Sequence, residues 1–154
     1  MKKMFLMIII FLIIFISNNL YSHDFIWGIS ENELIRINGQ PDEFSNYDIE
    51  GNKMNILIYQ YLTFFRFYSF IHNKLVNVVE YFGPYSEPND AYTMNTILIS
   101  RLSINYNLIK NELNERGVFV YFKYGNDEII YWLFINEDNK MEISIEYISP
   151  LFYQ

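Results

Sequence analysis

The side chains suited to acid–base or metal chemistry are two histidines, His23 and His72, and 18 aspartates and glutamates; cysteine is absent. Lacking cysteine, the chain has no disulfide, thiolate zinc site, iron–sulfur cluster or thiol nucleophile, and no diacylglycerol anchor. Two histidines cannot build a multi-histidine metal site. His72 falls in the predicted turn His72-Asn73-Lys74, where an imidazole meets water. His23 could hold only a stray ion together with a terminal amine. The pairs Asp42-Glu43 and Asp127-Glu128 stand at element edges and read as solvated turn charges. Glu137-Asp138-Asn139 lacks the spaced ligands and the glycine of a calcium loop. Glu142 and Glu146 share one face of a strand around Ser144. A glycosidase sets its two carboxylates about 5–10 Å apart across a cleft; neighbours along an open strand form a polar edge instead. The chain has no G-x-S-x-G, P-loop, H-E-x-x-H or G-x-G-x-x-G motif. The expectation is a non-enzyme with no metal and no cofactor.

Positioning begins with where the chain goes. Lys2 and Lys3 precede an unbroken apolar run, Met4 to Ile16, followed by Ser17, Asn18 and Asn19. A membrane span wants about 20 apolar residues, so the run fits a secretory signal, 1–22, with Leu20-Tyr21-Ser22 at the cut. An uncleaved N-terminal anchor is the alternative. Removing 22 of the 154 residues leaves 132, with nine basic and 18 acidic side chains, a net charge of −9. Such an acidic domain does not suit nucleic acid or anionic lipid. The chain has no N-x-S/T sequon, which with the Lys-Lys start points to bacterial export, to the periplasm or beyond the cell. No stable membrane span is expected after cleavage. Stability must come from the core rather than from disulfides.

The remainder reads as two similar units, 23–83 and 84–154, sharing one core. In the first, Ser30 and Glu33 have capping-box spacing, and Ile29 and Leu34 that of a hydrophobic staple. Gly39 and Pro41 stop the helix, predicted over 31–38. Trp27 reads as a core anchor ahead of it. The polar stretch 42–53 reads as a loop. Three strand-like runs follow, 54–62, 64–71 and 75–82. A three-residue loop at His72 sets Arg66 across from Glu80 and Phe70 across from Val76. A two-residue loop sets Arg66 across from Val79. The first register is preferred because it pairs opposite charges.

Gly83-Pro84 closes the first unit, and Asp90 is a candidate N-cap for the second helix. Met94, Leu98, Leu102 and Tyr106 recur every four residues, with Ile97 and Ile109 beside them. Residues 110–117 read as a connection, and 118–124, 128–135 and 141–148 as three more strands. The expected fold is therefore α+β: two helix-plus-three-strand units forming an antiparallel sheet with the helices on one face.

Asn126-Asp127 as a two-residue loop puts Tyr121 opposite Trp132 and Phe119 opposite Phe134. The other face of that hairpin is also apolar, with Phe122 opposite Tyr131 and Val120 opposite Leu133. A sheet covered on one side should alternate apolar with polar, and this hairpin does not. Either the second face is covered by the first unit or by Leu151-Phe152-Tyr153, or Phe119, Tyr121, Trp132 and Phe134 form a partner-binding patch.

The string Trp27-Gly28-Ile29-Ser30, Glu33-Leu34, Gly39-Gln40-Pro41, with Leu57-Ile58-Tyr59 and Asn73-Lys74-Leu75-Val76 after it, resembles the SmpA/OmlA (BamE-like) modules of outer-membrane assembly lipoproteins. The resemblance covers about 25–82. The tandem plan is also similar to beta-lactamase inhibitor proteins. Two departures are that this chain lacks the acylated cysteine of those lipoproteins, and that Tyr106-Asn107 stands where the second unit would carry Gly and Pro. The resemblance implies an exported, non-catalytic module that binds another envelope or exported protein. The alternative is an inhibitor of a secreted or periplasmic hydrolase, using the 42–53 stretch as its inserting loop.

Overall fold

The computed structural model describes residues 25–49 and 51–153; the expected signal segment lies outside them. The chain runs α1 (Glu31–Asn38), β1 (Glu43–Ile49), β2 (Asn52–Gln60), β3 (Phe65–Ile71), β4 (Lys74–Tyr85), α2 (Pro88–Asn105), β5 (Asn107–Asn114), β6 (Gly117–Tyr124), β7 (Asp127–Ile135) and β8 (Met141–Ile148), then a 3-10 turn at Pro150–Tyr153. All eight strands form one antiparallel sheet in the order β1-β2-β3-β4-β8-β7-β6-β5.

This corrects the expected fold class. The chain is mostly sheet: a single eight-stranded sheet with two helices replaces two helix-plus-three-strand units. The added strands, β1 and β5, are the two edges. β1 occupies most of the expected 42–53 loop, and β5 the expected connection after the second helix. Neither shows regular apolar alternation, and all eight residues of β5 are exposed, Leu108, Ile109 and Leu113 among them. Gly83-Pro84 does not end a unit. It lies within β4, where pairing with β8 shifts between Phe82 and Tyr85.

Helix α1 forms where its caps specify. Ser30 Oγ accepts from the Glu33 N–H at 3.3 Å, and the Ser30 N–H donates to Glu33 Oε2 at 3.1 Å. That reciprocal bonding satisfies two end donors. The cap hydrogen bonds hold the Glu33 carboxyl below the usual range. Helix α2 has Glu87 at the N-cap position, without a side-chain cap hydrogen bond, and Pro88 as its first residue; the expected cap Asp90 falls instead in the first turn. Ala91, Leu98 and Leu102 turn to the sheet; Ile97 stays exposed, and Ile109 belongs to β5.

Both helices lie against the same sheet face. Leu34, Leu98 and Leu102 join one core with Tyr68, Tyr131 and Tyr147 from three strands. That core runs across the central β4–β8 ladder, so both halves of the sequence contribute to it.

The β3–β4 hairpin combines the two registers that its sequence allows. His72 and Asn73, at φ +50° and +60°, make a two-residue turn flanked by Ile71 and Lys74. Ser69 then pairs Asn77 while Phe70 pairs Leu75, leaving Val76 as a bulge. The bulge replaces the expected Phe70–Val76 pairing and brings Arg66 opposite Glu80.

Candidate functional site

In β6 and β7 the residues at alternate positions point away from the helices. Phe119 and Tyr121 on β6, with Ile130, Trp132 and Phe134 on β7, share this outer face. The hairpin register differs from expectation by two residues. Gly125 takes φ +61° and turns with Asn126, so Tyr124 pairs Asp127. A left-handed first turn position favours glycine, which shifts the loop one residue towards the N-terminus. Face membership survives a shift of two. The pairs do not: Phe119 sits opposite Trp132, and Tyr121 opposite Ile130.

The four expected site residues are thereby brought together, each half-buried. Phe119 stacks on Trp132 at 5.1 Å between ring centroids with planes 20° apart, and Trp132 meets Phe134 at 4.4 Å. The Trp132 indole N–H points to the Arg116 carbonyl at 3.5 Å. Tyr121 sits at the end of this row under Lys110, whose Nζ lies 4.3 Å from the ring centroid. Lys110 also pairs with Glu112 at 2.7 Å, and Glu112 accepts from the Tyr121 hydroxyl at 3.3 Å. The Glu112 hydrogen bond pushes the Lys110 ammonium up, and the Lys110 hydrogen bond pulls the Glu112 carboxyl down. Lys110, Glu112 and Ile130 were not among the expected site residues. The first two were hidden because 107–114 does not read as a strand.

Beside the aromatic row runs the outer side of β8. Phe134 faces Glu142, Trp132 faces Ser144 and Ile130 faces Glu146. The expectation of an outward polar edge is corrected here, because β8 is central and Glu142 is buried. Glu142 accepts from Asn136 Nδ2 at 2.6 Å, and Glu146 from Asn77 Nδ2 at 2.7 Å. Burial, with a hydrogen bond to Glu142, raises the Tyr81 phenol. Four residues of strand set the two glutamates about 13 Å apart along the backbone, and each carboxylate is engaged by a different asparagine amide.

The helix-covered face holds one further charged cluster. Arg66 donates from Nε to Glu80 Oε1 at 3.0 Å and from Nη2 to the same oxygen, while Nη1 reaches the Tyr68 hydroxyl at 3.3 Å. Its guanidinium lies 5.2–5.8 Å from the ring centroids of Phe25, Tyr61 and Phe64. Burial works against its charge, but Glu80 and Tyr68 outweigh that and hold it above the ordinary value. Burial and the facing Glu80 push the Tyr147 phenol well up. A recess of about 180 Å³ beside Arg66 is lined by Phe25, Leu34 and Leu75 together with Asn38 and Tyr68. Nothing in it resembles an activated nucleophile. Among the described residues, no three His, Asp or Glu side chains are grouped to hold a metal ion. No described helix is long and apolar enough to cross a membrane.

No family model matches the chain, and no curated protein sequence matches it. Among solved structures it is similar to a cysteine-rich secretory protein from Staphylococcus aureus, with a TM-score of 0.41 and 9% identity. The likeness covers 81% of this chain and 45% of that one, so this chain spans under half that protein's length.

Proposed function

We propose that the chain is an exported, non-catalytic protein-binding module of the bacterial periplasm or cell envelope, and that Phe119, Tyr121, Trp132 and Phe134 form its contact surface. One observation carries this reading. Both helices pack on one face of the sheet, and the stacked aromatic row lies on the other, where no described helix covers it. Tryptophan and tyrosine dominate the energetics of protein contacts because they bury much apolar area with few rotors. The resemblance of about 25–82 to BamE-like modules points the same way. The rival reading, a hydrolase inhibitor, needs a long inserting loop; residues 43–49 and 52–53 lie instead in β1 and β2.

Site-specific photo-crosslinking in the native cell tests it. A probe replaces Trp132, and a control probe replaces Ser100, exposed on α2. A discrete adduct with another exported protein from position 132 alone is the expected result. Absence of any adduct from folded, exported protein overturns the proposal.

A further inference from the structure

We propose that the chain forms a symmetric dimer through β5, with the β5 strand of a second copy extending the sheet. This goes beyond the binding reading above and does not depend on it.

β5 is an edge strand with every residue exposed, Ile109 at 59% and Leu113 at 82%. An uncovered edge presents unpaired N–H and C=O groups that can pair with another strand. Pairing with β6 is regular from Asn114 back to Lys110, and Ile109 bulges out beyond it. In an antiparallel ladder, paired residues alternate between bonding each other and pointing away. Counted from the two-residue loop Glu115-Arg116, Asn114, Glu112 and Lys110 bond to β6, so Asn111 and Leu113 turn their N–H and C=O groups outward. Asn111 thus sits mid-strand on an edge that no described strand pairs.

Side-chain charge selects the register. A two-fold pairing must match outer-face residues with outer-face residues, so it centres on one residue facing its own copy. Centring on Glu112 or Lys110 sets like charges directly opposite. Centring on Asn111 sets Lys110 opposite the second copy's Glu112, and Glu112 opposite the second copy's Lys110. The opposite edge has no such option: β1 carries Glu43 and Asp48 and no basic residue. Pairing β5 with β1 would generate an open chain of copies rather than a closed pair. One strand–strand contact buries little area, so the dimer is a weak one, with a Kd on the order of micromolar.

Sedimentation equilibrium of the processed chain measures that Kd. Lys110→Glu is expected to weaken dimerisation about tenfold, because two attractive cross-strand pairs become repulsive. The exchange Lys110→Glu with Glu112→Lys restores the opposite charges and returns the Kd to near its starting value. Both positions are exposed, so neither variant should unfold the chain. Asn111→Cys gives an independent readout, since the native chain has no cysteine. Facing residues that bond each other lie about 5.5 Å apart between Cα atoms, within disulfide reach. Mild oxidation should link Asn111→Cys into a covalent dimer and leave a Ser100→Cys control monomeric. A chain that stays monomeric into the high micromolar range overturns the proposal. So does a dimer indifferent to Lys110→Glu, or one that the charge exchange fails to restore.

Discussion

The indole N–H of Trp27 donates to Asp127 Oδ2 at 2.9 Å, joining residues a hundred positions apart. It ties the segment entering α1 to the first residue of β7. The same segment is bound to β4, where the Gly28 N–H donates to the Leu75 carbonyl and the Leu75 N–H to the Ile29 carbonyl. Phe25 packs edge-on against Tyr147, 5.1 Å between centroids. Residues 25–29 therefore act as a strap from β4 towards β7. Asp127→Ala leaves a half-buried indole N–H unpaired and should cost about 1–2 kcal/mol. In a Trp27→Phe background the same change should cost much less. Urea unfolding of the four chains measures the coupling, and equal costs in both backgrounds would show that the bond adds nothing.

The Arg66–Glu80 pair makes a larger prediction. Both side chains are largely buried, Glu80 almost wholly, and a guanidinium left there alone has no compensating charge. Glu80→Ala should destabilise by about 3–5 kcal/mol. Replacing both residues together by methionine should cost far less, since burying two apolar chains avoids desolvating two charges. The comparison is made on midpoints of chemical unfolding. If the double variant is as unstable as Glu80→Ala, the ring contacts to Arg66, rather than its charge pairing, hold the site.

Legibility in the sequence followed how many constraints each element carried. Helix α1 was marked at both ends, by Ser30 and Glu33 and by Gly39, and forms between those marks. The Arg66–Glu80 pairing was readable from charge, although it is reached by a turn plus a bulge rather than by a longer loop. The edges were not readable. β5, Asn-Leu-Ile-Lys-Asn-Glu-Leu-Asn, and β1, Glu-Phe-Ser-Asn-Tyr-Asp-Ile, lack apolar alternation because neither buries a full face. They are strands because β6 and β2 offer them hydrogen bonds, a tertiary effect that overrides local pattern. The aromatic row was legible as a failure of alternation in 118–135, but its pairing was not, since Gly125 rather than Asp127 supplied the turn.

Acid should loosen α1 in a defined order. The Ser30 hydrogen bonds lower the Glu33 carboxyl from its ordinary 4.5, with Arg36 helping slightly. A carboxyl lowered in the folded state stabilises that state above its unfolded value, and the contribution is lost as pH falls through the folded one. The α1 cap should therefore persist at pH 4.5 and fray only below it. Carboxyl-detected NMR titration of Glu33 reads the midpoint directly. In Ser30→Ala that midpoint should rise towards the ordinary value, and an unmoved midpoint would remove the capping box as its cause.

Gly117 opens β6 with no room for a side chain. Its φ is +138°, and a Cβ built there would lie 2.2 Å from the Leu133 carbonyl oxygen on β7. Gly125, in the next turn, has φ +61° but open space around it. The two glycines separate backbone strain from collision. Gly125→Ala should cost about 1–2 kcal/mol, the penalty of a left-handed conformation alone. Gly117→Ala adds displacement of the β7 backbone and should cost about 3 kcal/mol or more. Leu133 neighbours Trp132, so the shift should also disturb the aromatic row, raising Trp132 emission intensity or moving its maximum. Equal stability losses at the two glycines, with unchanged tryptophan emission, would mean that β6 and β7 separate at that end without strain.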